Sequence, residues 1–202
     1  MVAMPETIIG FFPDIGGTWF LPRLPGELGA YLGLTGARVR GADAVRAGFA
    51  THFVPRARIA ELSTALAADG AGVLGEFAET PPPGTLAAQR PTIDRVFAGD
   101  SVAEIVARLN AEGTPWAGET LKLLNGVSPA ACVWTLRALR QGTGLNLADA
   151  LAVELRMTRV ITKHPDFIEG VRAALVDRDR NPKWTPASLA DVDPKMIDAV
   201  FA

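Results

Sequence analysis

Almost nothing in these 202 residues alternates between apolar and polar with the period of two that a half-buried strand needs. Thr51-His52-Phe53-Val54, closed by Pro55, is the one short stretch that reads as a strand. Elsewhere the signals are helical. Gly16-Gly17 opens a short helix over Thr18 to Leu24, Pro25-Gly26 separates it from another over Glu27 to Leu34, and a third runs from Gly41 to Ala47, closed by Gly48. Ile59, Leu62 and Leu66 keep helical spacing. Ser101-Val102-Ala103-Glu104 has the form of a capping box, with Ile105, Val106 and Leu109 behind it. Ser128-Pro129 is a cap followed by proline at the first helical position. Asn146 can cap a helix striped by Leu147, Leu151 and Leu155 and ended by His164-Pro165. Asp166-Phe167-Ile168-Glu169 reads as a second capping box, with Phe167, Val171 and Leu175 as its apolar face.

The remaining segments are weaker. Pro5 and Pro13 hold Met4 and Phe12 out of the helical region, so residues 1–15 read as extended chain and loop. Gly70 to Gly84 lacks a clear pattern, and Pro81-Pro82-Pro83-Gly84 is the best linker candidate. Arg180 to Ala202, with Pro182, Pro186 and Pro194, should be mostly irregular with one last short helix.

Composition narrows the function classes. With 49% hydrophobic and 21% charged residues the chain can bury a core. A net charge of −2 supplies no basic face for nucleic acid or an anionic membrane. The single cysteine, Cys132, excludes an intrachain disulfide framework and a cysteine-based zinc site, and no other metal-ligand cluster is present. No apolar run approaches a membrane span, and Met1 to Gly10 does not read as a signal peptide. These features lead to an expectation of a cytoplasmic protein. Arginine and alanine in excess over lysine suggest a bacterial source.

The segment Met4 to Gly17 concentrates the chemistry. It sets two carboxylates, Glu6 and Asp14, in an otherwise apolar run and follows them with a glycine pair. Beside Ile8, Ile9 and Phe11 a charged Glu6 is costly, so its pKa should rise towards the range useful for proton transfer near neutrality. The plain alternative is a surface carboxylate in a loop. Asp14 has its own alternative as a cap for the helix that follows. Gly16-Gly17 fits neither the dinucleotide nor the P-loop pattern and reads as a tight helix entry. His52 and His164 read as structural, and Cys132 as a core filler. Ser63, Ser101 and Ser128 lack a nucleophile-elbow context. Arg180 and Lys183 read as solvated charges.

Ala3-Met4-Pro5-Glu6-Thr7, Gly10-Phe11-Phe12-Pro13-Asp14-Ile15-Gly16-Gly17, Leu21-Pro22-Arg23-Leu24, Leu32-Gly33-Leu34-Thr35-Gly36 and Ala47-Gly48-Phe49-Ala50-Thr51-His52-Phe53-Val54 resemble the 3-hydroxyisobutyryl-CoA hydrolases of the crotonase (enoyl-CoA hydratase/isomerase) superfamily. Asp166 to Ala173 and Asp177 to Trp184 resemble the C-terminal region of that family. The resemblance implies an α/β fold of the crotonase-like spiral ββα kind and an acyl-CoA thioester as substrate. Coenzyme A then belongs to the substrate, and no separate cofactor or metal is implied. Glu6 matches the family's glutamate at the reacting thioester, as base or nucleophile. Asp14 matches an aspartate that the hydrolases carry where many hydratases have glycine, with the role of orienting water or the substrate hydroxyl. Family members place a glycine-rich run that supplies oxyanion amides before the Met-Pro-Glu segment, and no such run precedes Met4. The chain is therefore expected to be the C-terminal part of a thioester hydrolase, poorly active alone: residues 1–55 a remnant of the core, residues 56–202 a helical region, and the whole mostly α-helical; the alternatives are an enoyl-CoA hydratase or isomerase, and a non-catalytic remnant or half of a split enzyme. The apolar segment Ile8 to Leu24 is expected to need a sheet encoded elsewhere, and so a homo-oligomer or a complementing chain.

Overall fold

Four helices start in the same way, with a side chain that accepts a backbone N–H followed by proline, whose missing N–H would have had no partner there. A computed structural model describes residues 1–202. The helices are α1 (Gly17–Phe20), α2 (Leu28–Thr35), α3 (Gly41–Arg46), α4 (Ile59–Asp69), α5 (Leu74–Phe77), α6 (Leu86–Phe97), α7 (Val102–Glu112), α8 (Pro115–Asn125), α9 (Pro129–Gly142), α10 (Leu147–Ile161), α11 (Pro165–Val171) and α12 (Pro194–Phe201). The cap-and-proline starts are Thr114-Pro115, Ser128-Pro129, His164-Pro165 and Asp193-Pro194. Ser101 caps α7 by accepting the Glu104 N–H, and Glu104 Oε2 accepts the Asp100 N–H, one residue earlier than in a strict capping box.

Four expectations are corrected. Thr51 to Val54 is not a strand: the only β-bridge joins Val2 to Val39, and the single backbone bond that the Phe53 carbonyl accepts from the Glu79 N–H does not make a ladder. Residues 1–15 are not all loop, because Glu6–Ile9 forms a 3₁₀ turn ended by Gly10 at φ 66°. Asp166 is not a cap. His164 Nδ1 accepts the Asp166 N–H, and the Asp166 carboxylate is fully buried. The leucine stripe of α10 faces solvent, with Leu147, Leu151 and Leu155 exposed, while Ala150, Glu154, Met157 and Ile161 are buried.

The chain divides into two compact units, cut at 2/3, 38/39 and 90/91. One unit holds Met1–Val2 and Val39–Arg90. Within it, Asp43 accepts the Thr85 and Leu86 N–H groups and the Thr85 hydroxyl, and Arg46 donates to the Pro81 and Pro82 carbonyls. The proline-rich stretch is thus irregular but tied down.

The other unit holds Ala3–Arg38 and Pro91–Ala202. Its centre is α9, where Ala130, Ala131, Trp134 and Ala138 pack with Phe11, Phe12, Met157 and Ile161, and with Ile197 and Val200 of α12. Trp134 donates its indole N–H to the Phe11 carbonyl at 3.3 Å. Phe11, Phe12, Leu21 and Leu24 are buried within this unit, so helices do most of the covering that a sheet was expected to do. Ile8 and Ile15 are the large apolar side chains of the Ile8 to Leu24 segment that stay exposed.

Candidate active site

Glu6 opens the 3₁₀ turn, and the turn is held from several sides. Its carbonyl accepts the Phe11 N–H at 3.0 Å. Thr7, fully buried, accepts the Ser128 N–H on its carbonyl and donates its hydroxyl to the Leu34 carbonyl. A Cβ on Gly10 would lie 2.4 Å from the Asp166 carbonyl oxygen, and one on Gly170 would lie 2.4 Å from the Ile9 carbonyl carbon. Both approaches are too close for any side chain. The turn and α11 therefore interlock through bare backbone. The start of α11 is anchored in turn by Asp166, which accepts the Ser128 hydroxyl at 2.5 Å and the Thr185 N–H at 2.6 Å.

The Glu6 carboxyl is partly buried, and its Oε2 is shielded from solvent without a hydrogen-bond partner. Burial pushes it up to about 7, its own backbone N–H opposes that rise, and the charge of Asp14 adds to it. A carboxyl poised there can exchange a proton at neutral pH.

Asp14 stands in the turn that leads into α1. Its carbonyl accepts the Gly17 N–H at 2.8 Å. The next two residues are left-handed, Ile15 at φ 55° and Gly16 at φ 83°. For Ile15, β-branched and 86% exposed, that conformation is strained. The Asp14 side chain does not cap α1. Its carboxyl is also held above the ordinary aspartate range, by desolvation first and by the charge of Glu154 as well, against its own backbone N–H.

Glu154 is the residue that sequence reasoning missed. It is 4% exposed. Its carboxylate accepts the Gly16 N–H at 2.8 Å, the Thr18 N–H at 3.0 Å and the Thr18 hydroxyl at 2.6 Å. A signal was present, since Glu154 falls in register with Ala150, Met157 and Ile161, and a glutamate in an apolar helical stripe marks a paired or working carboxylate.

The charge of Asp14 thus acts on Glu6, as their common segment suggests, and the charge of Glu154 acts on Asp14 from α10. The other singled-out side chains do not. His164 packs edge-on against Trp134. Cys132 is buried, with its thiol pushed up to about 12 by desolvation, and is unreactive near neutrality. A separate cavity of about 510 Å³, lined by Val102, Val133, Leu136, Arg137 and Ile197 among others, includes neither Glu6 nor Asp14. Arg137 at its edge is paired with Asp198.

Residues 1–201 match the family model described as enoyl-CoA hydratase/isomerase. Over 98% of its length the chain is 39% identical to the 3-hydroxyisobutyryl-CoA hydrolase, mitochondrial, of Gallus gallus. Over its full length it is 41% identical to the protein of the same name in Homo sapiens. The chain spans only 55% of each of these relatives. The solved structure of a carnitinyl-CoA dehydratase from Mycobacterium thermoresistibile superimposes with a TM-score of 0.93 at 46% identity, over 99% of this chain and 58% of that one. An enoyl-CoA hydratase from Rhodobacter sphaeroides 2.4.1 superimposes with a TM-score of 0.90 at 42% identity, again over 99% and 58%. The mitochondrial relatives lend no support to the expected bacterial, cytoplasmic protein, and no helix here is long and apolar enough to cross a membrane.

Proposed function

The chain belongs to the enoyl-CoA hydratase/isomerase family, and on that footing we propose that it carries the carboxylate half of an acyl-CoA thioester hydrolase site, with 3-hydroxyisobutyryl-CoA or a close 3-hydroxyacyl-CoA as substrate. The observation that carries the reading is the Glu6 carboxyl, poised at about 7 with a buried, unpartnered oxygen and a second carboxyl, Asp14, acting on it. As a base, the Glu6 carboxylate takes a proton from water as that water adds to the thioester carbonyl. As a nucleophile, it adds to the carbonyl itself, and water then cleaves the resulting anhydride. Either way the C–S bond breaks and coenzyme A leaves as the thiolate, which is then protonated. Asp14 orients the water or the substrate hydroxyl. The oxyanion donors that complete such a site are expected in a glycine-rich run outside residues 1–202, and losing one such donor costs about 10²–10³ in rate.

A second reading, hydration of an enoyl-CoA, draws on the names of the two superimposed structures, a dehydratase and a hydratase. Asp14 separates the two. In the full-length form, the hydrolase reading expects Asp14→Gly to cut coenzyme A release severely. It also expects melting to be almost unchanged, because Asp14 caps nothing. Free thiol release and enoyl-CoA hydration are measured on the same protein. Efficient hydration by the parent without thiol release moves the function to the hydratase branch. Unchanged thiol release in Asp14→Gly removes Asp14 from the chemistry.

A further inference from the structure

The N–H groups of a helix's first turn need an acceptor from outside the helix, ordinarily the side chain at the N-cap, and in α1 that position is Gly16, which has no side chain to offer. Here the partner comes from elsewhere. Glu154 lies 138 positions from Gly16 in sequence and 136 from Thr18. It reaches α1 from the buried face of α10 and takes up three donors at once, Gly16 N–H, Thr18 N–H and Thr18 Oγ1–H. A buried carboxylate without such donors would be strongly destabilising, so the three bonds and the burial explain each other. The left-handed pair Ile15-Gly16 then follows. The chain turns sharply after Asp14, and the Gly16 and Thr18 amides reach Glu154 on α10, while the Asp14 side chain makes no cap hydrogen bond to α1.

We propose that Glu154 is a positioning residue for Asp14: it supplies the acceptors that the Gly16 cap of α1 lacks and so fixes the turn that carries Asp14, whose carboxyl stays free of the helix and acts on Glu6. This rests on Asp14 belonging to the reacting site, as proposed above, but the arrangement is testable without any turnover. The charged groups acting on this pair are Glu154 from α10 upon Asp14, and Asp14 upon Glu6. Like charge at Glu154 disfavours ionisation of Asp14, a second effect of the same contact that a neutral cap would lack.

The experiment follows the side-chain carboxyl carbons of Asp14 and Glu6 by NMR against pH in the 202-residue chain, together with exchange of the Gly16 and Thr18 amide protons. In the parent, Asp14 titrates above the ordinary aspartate range and both amides are protected. Glu154→Gln keeps the shape and one acceptor but removes the charge, and Asp14 then titrates at lower pH. Thr18→Val removes only the hydroxyl donor. It melts lower than the parent but leaves the Asp14 titration high and Gly16 protected. A parent in which Asp14 titrates as an ordinary aspartate, or in which Gly16 and Thr18 exchange freely, overturns the proposal without any variant. So does a folded Glu154→Gln that lowers melting yet leaves the Asp14 titration in place, since that describes a purely structural glutamate. If the titrations behave as expected while no thioester is cleaved by the full-length form, the hydrolase reading fails and the positioning of Asp14 stands.

Discussion

Glu6 gains reactivity at the expense of stability, and the sign of that trade can be measured. Unfolded, the side chain gives up its proton near the ordinary value of 4.5; folded, it does so at about 7. Between those values the unfolded state holds fewer protons than the native one, so stability falls as pH rises through this window and levels off above it. Glu6→Gln cannot ionise. It should therefore melt higher than the parent above pH 7, and the gap should close as the pH falls towards 4.5, read by thermal melts across buffers. Any activity that needs the Glu6 carboxylate should rise through pH 7 in the parent and be absent in the variant. This residue was legible in the sequence because it is a carboxylate in an apolar run, with Ile8, Ile9 and Phe11 within five positions of it; the packing of its turn on α11 was not. For Glu154 only its place in the Ala150, Met157 and Ile161 register was legible; its three donors lie well over a hundred positions away, and no local pattern names them.

At the scale of the element, α10 carries two apolar stripes, and periodicity alone does not say which one faces inward. Leu147, Leu151 and Leu155 look the stronger on hydrophobicity, yet they are exposed. The buried stripe has a small residue at Ala150, a charged one at Glu154 and the flexible Met157, because it meets the α1 backbone at one end and Trp134 and Phe12 at the other. What faces a helix decides its inner stripe, and that is tertiary information. The existence of the helix was legible from Asn146, which accepts the Asp149 N–H as its cap. The expected strand over Thr51 to Val54 failed for a related reason, since a strand is defined by a partner. Two substitutions separate the stripes. Leu151→Ser should change unfolding free energy by no more than about 0.5 kcal/mol. Met157→Ala should cost about 2–5 kcal/mol. Urea unfolding with unchanged m-values checks both. A large loss at Leu151 in a dilute monomer would place the wrong stripe inside.

Over the molecule as a whole, the Glu6 turn belongs as much to α11 as to its own segment. Gly170→Ala puts a methyl group 2.4 Å from the Ile9 carbonyl carbon and 2.5 Å from its oxygen. The expected result is a loss of about 1–3 kcal/mol from overpacking. As the turn is pushed out and the carboxyl is wetted, the Glu6 titration should also drop towards the ordinary glutamate range. Gly118→Ala in α8, where a Cβ meets nothing within 4 Å, is the control. It should stabilise by roughly 0.5–1 kcal/mol and leave Glu6 alone. The interlock also bears on how such a chain can vary by descent. A clash between two side chains can be relieved by trimming the neighbour, so a second mutation elsewhere rescues the first. At Gly10 and Gly170 the obstacle is main chain, which every amino acid possesses. No second-site suppressor of that kind exists for either position, and in a selection for revertants glycine itself should be what returns.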